Sequence, residues 1–136
     1  MKLSVITVSY NAAETIGDTL ASVAAQTYPE VEHIVVDGAS GDGTMEVVRR
    51  QGAHLACAIS EPDEGIYDAM NKGLARASGD IVGILNADDV YADDRVLQDV
   101  VAAFEKDPLD ALYGDVLVVD RTDTGKVIRR YNSGRF

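Results

Sequence analysis

Ile81-Val82-Gly83-Ile84-Leu85 runs without a polar side chain into Asn86-Ala87-Asp88-Asp89. An unbroken apolar run of this kind is what a strand covered on both faces requires, as in a parallel sheet. The polar cluster then emerges abruptly at the strand's carboxyl end.

The same unit recurs upstream. Leu3–Val8 reads as a first strand that runs out into Ser9-Tyr10-Asn11. His33–Asp37 is a second, ending in Asp37-Gly38-Ala39-Ser40, and Leu55–Ser60 a third, ending in Ser60-Glu61-Pro62-Asp63. Helical periodicity separates them: Ala13–Gln26, with Ile16, Leu20 and Val23 on one face, then Thr44–Arg50, then Ile66–Ala77. Asp93–Lys106 is a fourth helix with Val96, Val100, Val101 and Phe104 facing inward. Ala111–Asp120 and Lys126–Tyr131 read as a hairpin turning at Thr122-Asp123-Thr124-Gly125. Strand–helix alternation repeated in this way predicts an α/β domain with a mainly parallel sheet and right-handed crossovers. Ligands of such sheets bind beyond the carboxyl ends of the strands, so all four polar clusters are expected on one rim.

Composition narrows what binds there. A chain of 136 residues suffices for one domain with a real core, and 46% hydrophobic with 26% charged residues is ordinary globular composition. Acidic residues outnumber basic ones 23 to 12, a formal net charge of −11, which disfavours nucleic acid and anionic lipid as partners. An anionic ligand such as a nucleoside diphosphate would need a positive intermediary, and a divalent cation is the economical one. Cys57 is the only cysteine, so no internal disulfide forms, and it reads as a buried strand thiol. His33 and His54 have no partner at metal-ligand spacing and read as structural or surface residues. The N-terminal apolar run is too short and broken for a signal peptide, and no stretch reaches the roughly 18 apolar residues of a membrane span. A cytoplasmic protein is expected.

Two readings stand at Asp88 and Asp89. Hard oxygen ligands on a rigid strand end suit Mg²⁺ or Mn²⁺, which take one or two carboxylates and leave positions for substrate phosphates. Alternatively one of the two caps the following helix. In Asp37-Gly38-Ala39-Ser40-Gly41-Asp42-Gly43-Thr44 the glycines let backbone approach a ligand, with Asp37 read as a ligand contact and Asp42 as a turn residue near the helix N-cap. The loop is neither GxGxxG nor a Lys-bearing P-loop, which removes the main support for dinucleotide and P-loop NTPase readings. Asp68, Asn71 and Lys72 lie three and four residues apart on one side of a helix that begins at the rim, with Ile66, Ala69, Met70, Gly73 and Leu74 left to pack. They can meet a ribose or phosphate with the help of the helix N-terminus, or form a solvated face.

Val8-Ser9-Tyr10-Asn11, Gln26-Thr27-Tyr28-Pro29, Val36–Thr44, Gly65–Gly73 and Leu85–Asp89 together resemble, in order and spacing, the family 2 glycosyltransferases. The branch that builds bacterial surface polysaccharides and O-antigens is the most similar. The resemblance covers essentially the whole chain. It implies the GT-A fold, a Rossmann-like three-layer α/β/α arrangement, and transfer of a sugar with inversion from a UDP- or GDP-sugar held through Mg²⁺ or Mn²⁺. It implies a glycan or lipid-linked acceptor and a cytoplasmic location, peripheral to the inner face of the membrane. By resemblance, Ser9, Tyr10 and Asn11 lie at the nucleoside and Asp37 contacts base or ribose. Asp68 and Asn71 line the donor pocket, Asn86 sits near the ribose, and Asp88, with Asp89 beside it, binds the metal.

The chain departs from the family pattern in places. Gly38 stands where many relatives carry a second acid, Asn86 replaces an acid, and Glu64 stands where a basic residue is common. Relatives also continue for roughly another hundred residues, in line with a usual domain size of ~100–200. Residues 1–136 are therefore expected to form a single nucleotide-sugar-binding domain, the N-terminal, C-terminally truncated part of a GT-A domain. The general base that an inverting transfer needs is expected outside it. Asp115 and Asp120 read as surface or hairpin residues. A non-catalytic nucleotide-sugar-binding fragment is the alternative reading. A homodimer through the C-terminal edge is a further expectation.

Overall fold

The computed structural model describes residues 1–134. The chain divides into two compact units, Met1–Val101 and Ala102–Phe136.

The first unit holds four parallel strands, β1 (Leu3–Ser9), β2 (Val31–Asp37), β3 (Cys57–Ser60) and β4 (Ile81–Ile84), in the order β3-β2-β1-β4. Helix α1 (Ile16–Ala24) follows β1, α2 (Thr44–Gln51) follows β2, and α3 (Ile66–Leu74) follows β3. Ile16, Leu20 and Val48 pack with Val35 and Ala87, which puts α1 and α2 on one face of the sheet. Ala69 packs with Ile6, Val8, Ile34 and Val36, which puts α3 on the other. The chain steps outward from β1 to β3 and returns past β1 to β4, so the crossover changes face and the strand order reverses at β1. β1 is buried along its whole length, as a central strand covered on both sides must be. Gly73 is the closest approach of α3, because a Cβ there would lie 2.4 Å from Ile6 Cγ2.

Several boundaries differ from the sequence expectation for local reasons. α1 begins at Ile16 rather than Ala13, since the Ala12 and Ala13 amides donate instead to Thr44 Oγ1 (2.9 Å) and Asp42 Oδ2 (3.1 Å) of the next loop. β3 begins at Cys57 rather than Leu55, whose amide is spent on a turn to Gly52 O. β4 is an edge strand. Val82 and Ile84 on its α3 side are exposed, so its apolar run is not covered on both faces as the sequence suggested. In α3, Ala69 and Gly73 are buried but Ile66 and Leu74 are exposed, which narrows the packing face. Cys57 is half-buried. His33, fully buried, is not isolated: its Nδ1 lies 3.0 Å from His54 Nε2, and its Nε2 lies 2.8 Å from Thr7 Oγ1.

Helix α4 (Val96–Lys106) buries Leu97 and Val101. The second unit contains β5 (Val116–Val119) and β6 (Val127–Tyr131), paired antiparallel with an irregularity between Val118 and Val119. Asp120 accepts from Thr122 N, Thr122 Oγ1 and Asp123 N and so shapes the turn, while Asp115 holds Arg130 and Ser133. Both acids therefore serve the hairpin. Among the described residues, no helix is long and apolar enough to cross a membrane.

Candidate functional site

Parallel register brings Ser9, Asp37 and Ser60 into one row across the carboxyl ends of β1, β2 and β3. Their side chains bond together. Asp37 Oδ1 accepts from Ser9 Oγ (2.8 Å) and Ser40 Oγ (2.6 Å), and Oδ2 accepts from Ser40 N (2.9 Å) and Ser60 Oγ (2.7 Å). Burial alone would raise the Asp37 pKa, but the bonds from Ser40, Ser60 and Ser9 outweigh it and hold the carboxyl below its ordinary value. With four donors on two oxygens, a fully buried Asp37 fastens three strand ends together from beneath the rim.

Asn11 extends the fastening. Its amide donates to Ser40 Oγ (2.8 Å) and its Oδ1 accepts from Gly41 N (3.0 Å). Asn11 and Ala39 both take left-handed backbone, at φ 48° and 57°, a conformation that costs an alanine more than an asparagine. The β1 and β2 loops are thus held rigidly beside each other. Asp42 accepts from Thr44 N (3.1 Å), in keeping with a residue that opens α2.

Above this frame lies a cavity of about 520 Å³ on the α3 side of the sheet. Ser9, Tyr10 and Gly38 line it, with Pro62 and Asp63 from the β3–α3 loop and Ile66 from α3. Asp68 and Asn71 are not among its lining residues. Asp68 Oδ2 instead accepts from Glu64 N (3.0 Å) and meets Lys72 Nζ at 3.4 Å, and Lys72 also donates to Pro62 O (2.9 Å) and pairs with Glu61 (3.2 Å). Lys72 and Asp68 therefore hold the loop that carries Asp63. Gly65, at φ 115°, lets that loop turn into α3.

The Asn86–Asp89 segment is fixed separately. Ala87 is buried among Ile16, Leu20 and Val35, the Thr19 hydroxyl donates to Asp89 O (2.8 Å), and Asp89 N closes a turn on Asn86 O (3.0 Å). Gln26 and Thr27 secure the chain beyond: Gln26 Nε2 donates to Asp93 O (2.6 Å), Gln26 Oε1 accepts from Leu97 N (3.0 Å), and Thr27 N donates to Asp94 O (2.8 Å). Asp88 and Asp89 stay exposed between these anchors. Burial, and then repulsion from Asp88, raises the Asp89 pKa. Asn86 Oδ1 is buried with no hydrogen-bond partner among the described residues. A divalent cation fits this donor set, because it would relieve the acid pair and offer the orphaned amide oxygen something positive. Among the described residues, no three His, Cys, Asp or Glu side chains gather as a closed metal cage. A site that takes two carboxylates and completes itself with phosphate oxygens needs no cage.

The sequence did not single out Thr19, Ser60 or Asp63. Ser60 and Asp63 stood in a quoted strand-end cluster, and only strand order could show that both face β2.

A doubly wound sheet with a cavity over the carboxyl ends of β1, β2 and β3 and an acidic turn after β4 defines an α/β fold of the GT-A class. The chain belongs to the family described as Glycosyl transferase family 2, whose model matches residues 4–134. It is 43% identical over 114 residues to an uncharacterized glycosyltransferase of Mycobacterium tuberculosis, a match covering 82% of this chain and 44% of that protein. Among solved structures, S. aureus TarS 1-349 in complex with UDP-GlcNAc superposes with a TM-score of 0.72 at 31% identity, over 78% of this chain and 32% of that one. The mannosyltransferase PcManGT of Pyrobaculum calidifontis, in complex with GDP-Man and Mn2+, gives 0.69 at 32% identity, over 91% of this chain and 37% of that one. The chain thus spans less than half the length of the relatives it matches.

Proposed function

We propose that the chain binds a nucleoside-diphosphate sugar at the β1–β2–β3 rim, as the donor-binding part of an inverting, metal-assisted glycosyltransferase. Attack by a glycan or lipid-linked hydroxyl then displaces the diphosphate. The observation that supports this most is the cavity lined by Ser9 and Tyr10, on the same carboxyl-end rim as the acidic turn after β4. In this reading the nucleoside lies against the Tyr10 ring, which is 70% exposed and free to be covered. Asp37 and Asn11 keep the rim in place, and Asp68, through Lys72 and Glu64, keeps the β3–α3 loop in place. Asn71, exposed one turn into α3, faces the sugar side of the donor. Asn86, Asp88 and Asp89 hold Mg²⁺ or Mn²⁺. When bound, such an ion neutralises the charge that develops on the departing diphosphate.

The reading includes the surface-polysaccharide branch, which is supported by the linked motifs Val8–Asn11, Gln26–Pro29, Val36–Thr44, Gly65–Gly73 and Leu85–Asp89 together. Its place is the cytoplasmic face of the membrane, where nucleotide-sugars are made and lipid-linked acceptors are presented.

Calorimetry with UDP, GDP and their sugars, with and without Mn²⁺, tests the proposal. Metal-dependent binding that Asp88→Ala removes is expected. Binding indifferent to both metal and Asp88 would overturn the metal assignment, and no binding of any nucleoside diphosphate would overturn the function.

A further inference from the structure

The cavity that Tyr10 lines holds one carboxylate, Asp63, with an oxygen that is not committed elsewhere. Asp63 Oδ1 accepts from Gly65 N (2.9 Å), whereas Oδ2 makes no hydrogen bond among the described residues. That oxygen stands over Gly38: a Cβ on Gly38 would lie 2.7 Å from Asp63 Oδ2 and 3.4 Å from Tyr10 Cδ2. The glycine therefore clears the space in which the carboxylate and the aromatic ring come together. Around them the walls are apolar, from Val8, Pro62, Ile66 and Ala69, and among the described residues no Lys or Arg lines the cavity.

This is the wrong chemistry for a diphosphate, which Asp63 would repel and nothing in the lining would neutralise. It suits a flat heteroaromatic base that stacks on Tyr10 and presents hydrogen-bond donors to a carboxylate. The four common bases differ in what they present. Guanine offers N1–H and N2–H side by side, a pair that two carboxylate oxygens accept together. Uracil offers a single N3–H between two carbonyl oxygens, both of which a carboxylate repels. Cytosine and adenine place an acceptor nitrogen beside their amino group.

We propose that Asp63 reads the base of the donor and makes this chain selective for guanosine-diphosphate sugars. The inference rests on the donor-binding reading above and adds the nucleotide class to it. Asp63 is then a specificity-determining residue, and Gly38 is its partner by the room it leaves.

The test measures dissociation constants of GDP, IDP and UDP for the full chain with saturating Mn²⁺. IDP, which lacks the 2-amino group, separates the two guanine contacts without any mutation. GDP should bind about tenfold or more tighter than IDP and UDP, the scale of one charge-assisted hydrogen bond. Asp63→Asn keeps the Oδ1 that caps Gly65 but replaces an acceptor with a donor, and should bring GDP down to the level of UDP. Gly38→Ala, which intrudes on Oδ2 but keeps the Gly38 N to Ser9 O bond of 2.9 Å, should narrow the same gap. Circular dichroism checks that each variant folds. UDP binding as tightly as GDP, or a GDP:UDP ratio unmoved by Asp63→Asn in a folded variant, would overturn the inference while leaving metal-dependent donor binding intact. Absence of all nucleotide binding would overturn both.

Discussion

The Thr19 hydroxyl, buried on α1, donates to the carbonyl of Asp89 at 2.8 Å, tying the first helix to the acidic turn 70 residues later in the chain. The bond fixes the backbone of the turn without consuming either carboxylate. Thr19→Val keeps the side-chain shape and deletes the donor. It should cost about 1 kcal/mol of stability and weaken Mn²⁺-dependent nucleotide binding several-fold, read by urea titration and calorimetry on the same variant. A stability loss with unchanged affinity would mean that the turn does not need the tether.

Asn86 and Asp88 should respond in opposite directions. Asp88 is exposed, so Asp88→Ala should leave stability within about 0.5 kcal/mol of the parent while abolishing metal-dependent binding. Asn86→Asp places a third charge beside Asp88 and Asp89, where burial and then repulsion from Asp88 already raise the Asp89 pKa. It should tighten Mn²⁺ binding and lower the metal-free melting temperature. A Mn²⁺ titration followed by thermal shift checks both.

Acid should destabilise the fold in two stages. His33 is held neutral by burial, with repulsion from His54 adding to it, and its pKa falls from 6.5 to about 3. The unfolded chain takes up that proton below pH 6.5 and the folded chain does not, so stability present above pH 6.5 drains away as pH falls toward 3. Glu32 behaves alike at lower pH. Burial opposes ionisation there, but Lys2, Ser4 and Ser78 take the pKa from 4.5 down to about 2, so its contribution is lost between those values. Each proton contributes a slope of up to about 1.4 kcal/mol per pH unit. Urea midpoints from pH 7 to 3 should show the upper stage vanish in His33→Gln and the lower one in Glu32→Gln.

Gly73→Ala drives a methyl into Ile6 at the centre of the sheet, since the added carbon would sit 2.4 Å from Ile6 Cγ2. Overpacking of this kind costs about 1–3 kcal/mol. A double variant with Ile6→Val should recover part of the loss, and equal losses in single and double variants would place the strain elsewhere.

Much of this architecture was legible before any coordinates. The strands ending in polar clusters could be read because their short β-rich runs, mostly apolar in β1 and β2 despite Ser4, Thr7 and His33, alternate with helical periodicity. β4 misled: Ile81–Leu85 looks like a central strand, but its place at the sheet edge depends on strand order, which no local pattern encodes. At the rim, sequence spacing pointed to Ser9, Tyr10 and the Asn86–Asp89 turn. It did not show that Asp37 bonds to Ser9, Ser40 and Ser60, because Ser9 and Ser60 lie 28 and 23 residues from it in the chain. Asp68 and Lys72 were correctly placed on one helix side, yet the partners they meet are each other, the Glu61 carboxylate and the backbone of their own loop. The pairing of His33 with His54, 21 residues apart, was invisible for the same reason.

Ala87 carries a last consequence. It is sealed into the core, with half-buried Asn86 before it and exposed Asp88 and Asp89 after it, so three of the four positions in Asn86–Asp89 are open to chemical variation and one is not. In a library randomised across 86–89 and selected for nucleotide binding, new donor sets should appear at 86, 88 and 89. Position 87 should return only alanine or a residue no larger, so the segment evolves as a socket with one fixed pin.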